Sequence, residues 1–410
     1  MLKKIFLIKI DPDANNNKYY NLTELGDGNF KAEYARVGYD PAVEIYPMSK
    51  WDKKYKEKLS ARKGYIDKTY LFESEVPVSD SVPQVVITNK ITDKKVESLI
   101  IDLQKYASVS VAKDYIISSE KVTQKMIDEA QAIINGISAE LKLKQATAPI
   151  NKMLIDLFQV IPRKMKDVKS HILSGDYIDD LPAVQKLVAL EQETLDVMNG
   201  QVLLNSKQNQ TTDQKNILDV FGLKIEPASA KDVERIKKMM GSRHYQFRNA
   251  FAVVNEKTQK RFDAHHTSAK NKKSELFWHG SRNENWWNII NTGLVLRPTN
   301  AIITAKMYGY GIYFANLYKK SLGYTSLKGS YWATGNSDKA YLSLLDVHIG
   351  NQLVIKNHNY WCKSLDYKGL KQKGDYDSVY APGGYDLIND EFIVYQEQQT
   401  TTKFLVEVGK

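Results

Sequence analysis

Leu276-Phe-Trp-His279-Gly-Ser-Arg282 is the stretch on which the reading of this chain turns. Three apolar residues run into a histidine, a glycine and a serine, so a short buried strand hands polar groups to a turn. Two later stretches also set a reactive side chain in or beside an apolar strand: Gly309-Tyr-Gly-Ile-Tyr313-Phe-Ala-Asn316 and Asn389-Asp-Glu391-Phe-Ile-Val-Tyr395. Around them lie strand-like runs at 251–254, 342–349, 352–355 and 404–408 and helical patterns at 232–240 and 286–290, which predict a sheet-rich α+β domain. Taken singly, His279 reads as a hydrogen-bonded core histidine, Tyr313 as a packed aromatic and Glu391 as a solvent-facing residue at a strand start.

Outward from there the texture changes twice. Residues 97–204 carry helical periodicity: Leu99, Ile100, Leu103 and Tyr106, then Met126, Ala130, Ile133, Ile134, Ile137 and Leu141. Pro149 opens another helix that Pro162 should end, and a last one runs from Pro182 towards Leu203, giving an all-α bundle. The polar run Ser206-Lys-Gln-Asn-Gln-Thr-Thr-Asp-Gln-Lys reads as a linker. Before the bundle, short aromatic and β-branched runs separated by Gly26-Asp-Gly28 and Gly38-Tyr-Asp-Pro41 predict a small α+β module, with a lysine-rich helix over 51–66. That helix face, with Lys53 and Lys54 among its cations, is either simply solvated or turned to phosphate. The expected domains are 1–75, 95–205 and 210–410, in a multidomain α+β chain.

Composition narrows the function. The 410 residues include 58 Lys+Arg against 48 Asp+Glu, a net charge of +10 that suits an anionic partner such as nucleic acid. With Cys362 as the single cysteine, intramolecular disulfides and cysteine-based zinc fingers are excluded. No apolar run approaches the roughly 18 residues of a membrane span, and no His/Cys/Asp spacing resembles a metal site, so a soluble, intracellular protein without membrane or metal is expected. Gly309-Tyr-Gly311 lacks the third glycine of a dinucleotide fingerprint and enters a strand. Gly369-Leu-Lys-Gln-Lys-Gly374 has P-loop spacing, but Asp375 stands where its lysine belongs. His265-His266, in a polar stretch, reads as surface.

Together and in this order, His279, Tyr313 and Glu391 resemble the His-Tyr-Glu signature of the poly(ADP-ribose) polymerases, and Lys320-Ser321-Leu-Gly-Tyr324 follows Tyr313 at that family's spacing. The resemblance extends to the regulatory helical domain of the DNA-dependent members over 95–205, through Leu157-Phe-Gln-Val-Ile-Pro162. It extends also to a WGR domain, through Asn17-Lys-Tyr-Tyr20, Asn29-Phe30 and Tyr34-Ala-Arg36-Val-Gly38. Tyr34 and Ala35 replace the name-giving Trp and Gly there; Arg36 is kept.

The resemblance implies a compact, DNA-dependent enzyme without zinc fingers. It would cleave the nicotinamide–ribose bond of NAD+ and join ADP-ribose to an acceptor, through a transition state of oxocarbenium character. On that analogy Glu391 polarises the acceptor and holds a ribose hydroxyl, and Tyr313 and Tyr324 sandwich the nicotinamide. Gly280 and Ser321 take the carboxamide, and His279 takes an adenosine ribose hydroxyl with Ser281 and Asn285 nearby. Met307 and Tyr310 match the region beside the acceptor site, and Asp196 falls near the end of the last regulatory helix. Tyr34, Arg36, Lys53 and Lys54 become the nucleic-acid contacts. The implied partners are broken DNA and protein acceptors including the chain itself, in a DNA damage response. The expected location is the nucleus for a eukaryotic source and the cytoplasm for a bacterial or viral one. The alternatives are a mono-ADP-ribosyltransferase, or a catalytically silent DNA-binding scaffold.

Overall fold

The computed structural model describes residues 2–72, 91–114, 122–143, 146–208, 216–296 and 307–410. These fall into two compact units. The first holds the described residues of 2–72 and 109–202; the second holds those of 91–108, 203–296 and 307–410.

The first unit opens with strands β1 (Lys4–Asp11), β2 (Asn16–Glu24), β3 (Asn29–Arg36) and β4 (Ala42–Pro47), helix α1 (Trp51–Leu59) and strand β5 (Ile66–Asp67). They form one antiparallel sheet in the order β4-β3-β2-β1-β5. Alternation puts Tyr20 and Leu22 of β2 and Phe30 and Ala32 of β3 on the buried face. Trp51 at the head of α1 meets Phe30 edge-on, 5.1 Å between centroids. The expected turn falls at Gly26-Asp-Gly28, where the Asn29 amide donates to Asp27 Oδ1 at 2.9 Å. The lysine-rich helix is shorter than its composition suggests. Ser60 leaves helical geometry at ψ 147°, and Ile66 and Asp67 pair instead with Ile8 and Leu7 of β1. Pairing with an apolar strand outweighs a local propensity that one more polar turn would satisfy.

Four helices follow: α2 (Lys94–Asp114), α3 (Gln124–Leu143), α4 (Ala148–Val160) and α5 (Leu181–Gln208). Pro149 sits in the first turn of α4, and the helix stops two residues short of Pro162, as a missing amide requires. Ile134 of α3, Leu157 of α4 and Leu195 and Met198 of α5 converge beside Arg163 and Glu191. Those two form a buried ion pair, with the Arg163 guanidinium 4.5 Å from the centre of the Phe158 ring. Among the described residues no helix is long and apolar enough to cross a membrane. The linker read at 206–215 begins inside α5, and 209–215 lie outside the described residues.

The second unit continues with α6 (Ile217–Phe221), β6 (Leu223–Pro227), α7 (Ala230–Met240), β7 (Phe247–Asn255), α8 (Glu256–Ser268), β8 (Ser274–Gly280) and α9 (Trp286–Thr292). Then come β9 (Ile312–Phe314), α10 (Tyr318–Leu322), β10 (Lys339–His348), β11 (Gln352–Val354), α11 (Tyr367–Lys373), β12 (Ser378–Ala381), β13 (Glu391–Val394) and β14 (Thr400–Gly409). One sheet runs β6-β7-β14-β10-β8, the other β11-β12-β13-β9. The first is antiparallel throughout; in the second only β11 and β12 run parallel.

Phe277, Phe314, Leu345, Val347, Phe392 and Val394 fill one core that joins strands of both sheets. A second core packs α7 and α10 on Trp278, Leu342, Leu344 and Val406. A backbone bridge stitches the sheets together, where the amide of Trp278 donates to the Ala315 carbonyl at 2.8 Å and the Ala315 amide returns the bond at 3.1 Å. That bridge brings His279 and Tyr313 together.

Candidate active site

His279 ends the apolar run of β8, and its Nδ1 lies 3.1 Å from the Tyr313 carbonyl. A carbonyl only accepts, so Nδ1 is the donor and carries a proton. Tyr313 sits mid-strand in β9, and its hydroxyl is clasped by the turn before it. It accepts from the Tyr308 amide and donates to the Gly309 carbonyl, both at 3.0 Å. That turn needs a glycine: Gly309 has φ +76°, and a Cβ there would lie 2.0 Å from the Leu365 carbonyl oxygen. Burial pushes the Tyr313 phenol well above its ordinary pKa of 10, so the ring stays neutral.

Glu391 is the first residue of β13, which pairs with β9 through Ile393–Tyr313 and Phe392–Phe314. Its carboxylate is 2.7 Å from Lys320 Nζ, and both side chains are only 14% exposed. The same ammonium donates to the Asn389 and Asp390 carbonyls at 3.3 and 3.2 Å. Asp390, the neighbouring carboxylate, is committed elsewhere. It accepts from the Gly383 amide and from Asn316 Nδ2, each at 2.8 Å, and so ties two loops together. The Glu391 charge also raises the Tyr308, Tyr313 and Tyr324 phenols, behind burial as the main cause; Tyr308 is pushed up to about 12. These three rings and the carboxylate therefore share one electrostatic neighbourhood.

Gly280 has a structural demand beside its expected one. A Cβ at this position would fall 1.9 Å from the Ser321 carbonyl oxygen, so β8 and α10 pass closely only because residue 280 has none. Ser321 donates its hydroxyl to the Trp278 carbonyl at 3.1 Å. Asn285 Nδ2 donates to Ser281 Oγ at 2.9 Å, and its buried Oδ1 has no hydrogen-bond partner. Such an orphaned acceptor suits a sugar hydroxyl. Tyr324, just past α10, is 43% exposed. His279, Gly280, Ser281, Asn285, Tyr313, Ser321, Tyr324 and Glu391 thus all belong to the second unit. Lys320 had no role in the sequence reading, although it stands within the quoted motif; only the strand pairing reveals its partner. Among the described residues no group of three or more His, Cys, Asp or Glu side chains can hold a metal.

The model of the poly(ADP-ribose) polymerase catalytic domain matches residues 230–410. The chain is 32% identical over 166 residues to the poly(ADP-ribose) polymerase-like protein 100L of Invertebrate iridescent virus 6, covering 39% of this chain and 84% of that relative. The chain belongs to the poly(ADP-ribose) polymerase family. Protein 101L of the same virus is 32% identical over 230 residues, 55% of this chain and 90% of that one. Poly(ADP-ribose) polymerase 2 of Arabidopsis thaliana is 22% identical over 96% of this chain and 71% of its own length. As a poly(ADP-ribose) polymerase family member, the chain is an NAD+ ADP-ribosyltransferase, and NAD+ is its substrate.

The nucleic-acid candidates lie in the first unit, where Tyr34, Arg36 and Lys54 are bonded within the fold. Arg36, read from the sequence as a nucleic-acid contact, makes its bonds within the first unit. Its guanidinium donates to the carbonyls of Asn15, Met165 and Lys166 at 2.6, 2.9 and 2.8 Å, and to Asn15 Oδ1 at 3.0 Å. A fork filled by carbonyl oxygens fastens the sheet to the loop after α4. Tyr34 stacks on Tyr20 at 5.3 Å and donates its hydroxyl to Glu44. Lys54 bonds the Tyr46 hydroxyl and covers that ring at 4.2 Å. Lys58, one turn on, lies 4.0 Å over Tyr20. Lys53 points to solvent.

Proposed function

We propose that the chain transfers ADP-ribose from NAD+ to protein acceptors, itself included, and elongates the product into poly(ADP-ribose). The observation that carries this reading is the Glu391 carboxylate, held by Lys320 at the start of β13 and sharing its surroundings with the Tyr313 and Tyr324 phenols. As the nicotinamide–ribose bond breaks, positive charge develops on the ribose, and a pre-set carboxylate stabilises it without reorganising. The same carboxylate takes a hydrogen bond from the nucleophilic hydroxyl and directs it at the anomeric carbon. Tyr313, held at its hydroxyl by the 308–309 turn, and Tyr324 provide flat faces for the leaving nicotinamide. Ser321 and the Gly280 backbone read the carboxamide, and His279 and Asn285 Oδ1 take ribose hydroxyls.

The N-terminal sheet module serves in this proposal as the sensor of DNA strand breaks, with Tyr34, Lys53 and Lys54 as its contacts. The helical stretch 95–205 restrains the transferase until DNA binds, which requires DNA to favour the released state. Asp102 of α2 forms an ion pair with Lys339 of β10, a bond such a restraint can use.

Labelled NAD+ given with and without nicked DNA tests the whole reading. The expected result is polymer that rises with nicked DNA and falls by about a thousandfold in Glu391→Gln. Polymer from the mutant overturns the catalytic assignment. Product of one ADP-ribose unit favours a mono-transferase, and absence of nicotinamide release from the unmodified chain favours a silent scaffold.

A further inference from the structure

Tyr324 is backed by a second ring. At 43% exposed, part of its ring stays open to solvent. The Trp332 indole lies alongside it, with centroids 6.1 Å apart and planes within 19°, an offset parallel stack. Trp332 is itself 63% exposed, so burial does not account for its place. The backbone does. The amides of Trp332 and Ala333 both donate to the Gly323 carbonyl, at 2.9 and 3.0 Å, which pins the indole to the residue just before Tyr324. A Cβ on Gly323 would meet Trp332 Cδ1 at 3.0 Å, so the ring passes close over that glycine. Tyr331 then meets the indole edge-on at 4.6 Å and 89°.

The loop that carries these rings is closed by its own bonds. Ser337 donates to the Ser326 carbonyl at 2.9 Å and Lys328 to the Ser337 carbonyl at 2.7 Å. Ser330 Oγ donates to the Thr325 carbonyl at 2.7 Å and accepts from the Gly335 amide at 2.9 Å. Ordering two large aromatics in water has a conformational cost, and a loop built this tightly sets the indole against the Tyr324 ring with Tyr331 against the indole.

We propose that Trp332 is a positioning residue for NAD+: it holds the Tyr324 ring in the plane that stacks on nicotinamide. This rests on the assignment of Tyr324 to the nicotinamide clamp. A ring already oriented loses less freedom when the ligand arrives, so the indole contributes to binding and leaves the bond-breaking step at Glu391 alone.

Nicotinamide release by the full chain, followed against NAD+ concentration, tests it. Trp332→Ala should raise KM, and the inhibition constant of free nicotinamide, by roughly three- to tenfold, with kcat near that of the parent chain. Trp332→Phe should restore both, since it keeps a flat face. Tyr324→Ala should raise both constants, and adding Trp332→Ala to it should change nothing more, because the two act as one unit. If Tyr324→Ala raises both constants while Trp332→Ala moves neither, the proposal is overturned and the clamp stands. If Tyr324→Ala moves neither, the clamp assignment itself fails and the proposal with it. A loss in kcat at unchanged KM also overturns it. Should Trp332→Ala not fold, Trp332→Leu keeps the bulk without the flat face and carries the same expectation.

Discussion

The transferase unit and the N-terminal sheet module each carry a motif residue singled out by resemblance, and they treat it in opposite ways. At β13 two carboxylates stand side by side. Asp390 takes the loop-tying bonds to Gly383 and Asn316, and the Glu391 carboxylate pairs with Lys320. At the end of β3 the Arg36 guanidinium itself joins the tie, bonding Asn15, Met165 and Lys166 beside the bonds from Asn17 to the Arg163 carbonyl and from the Val168 amide to Asn15. A motif match names a residue. Whether its side chain serves a ligand or the fold is decided by what the adjacent residues already bond.

That contrast can be broken at both ends. Lys320→Met should lower nicotinamide release by about a hundredfold through displacement of the Glu391 carboxylate, and leave the affinity for nicked DNA unchanged. Retained turnover would mean that the carboxylate keeps its place without the ammonium. In the sheet module, Arg36→Ala should lower the stability of the first unit by about 2 kcal/mol, read from urea unfolding of the full chain, because several charge-assisted bonds to carbonyls are lost. Lys53→Ala should leave stability unchanged and reduce the salt dependence of DNA binding by roughly one phosphate contact. The reverse pattern would return Arg36 to the phosphate.

The smallest effect concerns the histidines. His265 Nε2 lies 3.0 Å from His348 Nδ1, and His348 Nε2 donates to the Asn271 carbonyl at 2.6 Å. Burial lowers the His265 pKa below 6.5, with His348, His266 and Lys371 acting the same way and Asp377 opposing. A depressed histidine contributes stability that is fully present above 6.5 and is lost as pH falls through the folded value. His265→Gln should therefore flatten the decline of the thermal midpoint below pH 6.5. An unaltered slope would assign that decline to other groups.

Much of this was legible in the residues. Strong periodicity gave α3 and α4 and the stop at Pro162, and apolar runs gave β8, β9, β10, β13 and β14. Helix α8 was missed because its sequence is almost wholly polar; only Thr258 and Phe262 are buried, and its start depends on Asn255 Oδ1 accepting from the amides of Lys257 and Thr258. His265-His266, read as surface, turns out to sit on that helix against the buried His348. In the site, the named triad lay in the sequence, but the Lys320–Glu391 pair and the Trp332 stack did not. Both depend on segments that meet only through the sheet pairing and the self-closed loop after α10.

The Trp278–Ala315 bridge has a bearing on how the molecule moves. Its two amides, from β8 and from just after β9, join the sheets beside the site together with the His279–Tyr313 bond, and parting the sheets there forfeits those three bonds, each worth about 1 kcal/mol net. Hydrogen exchange at these amides is therefore a gauge of cleft breathing, set apart from the slower exchange of the ladders on either side. A ligand lying across His279 and Tyr313 spans that seam, and its occupancy is written in how long those two protons stay.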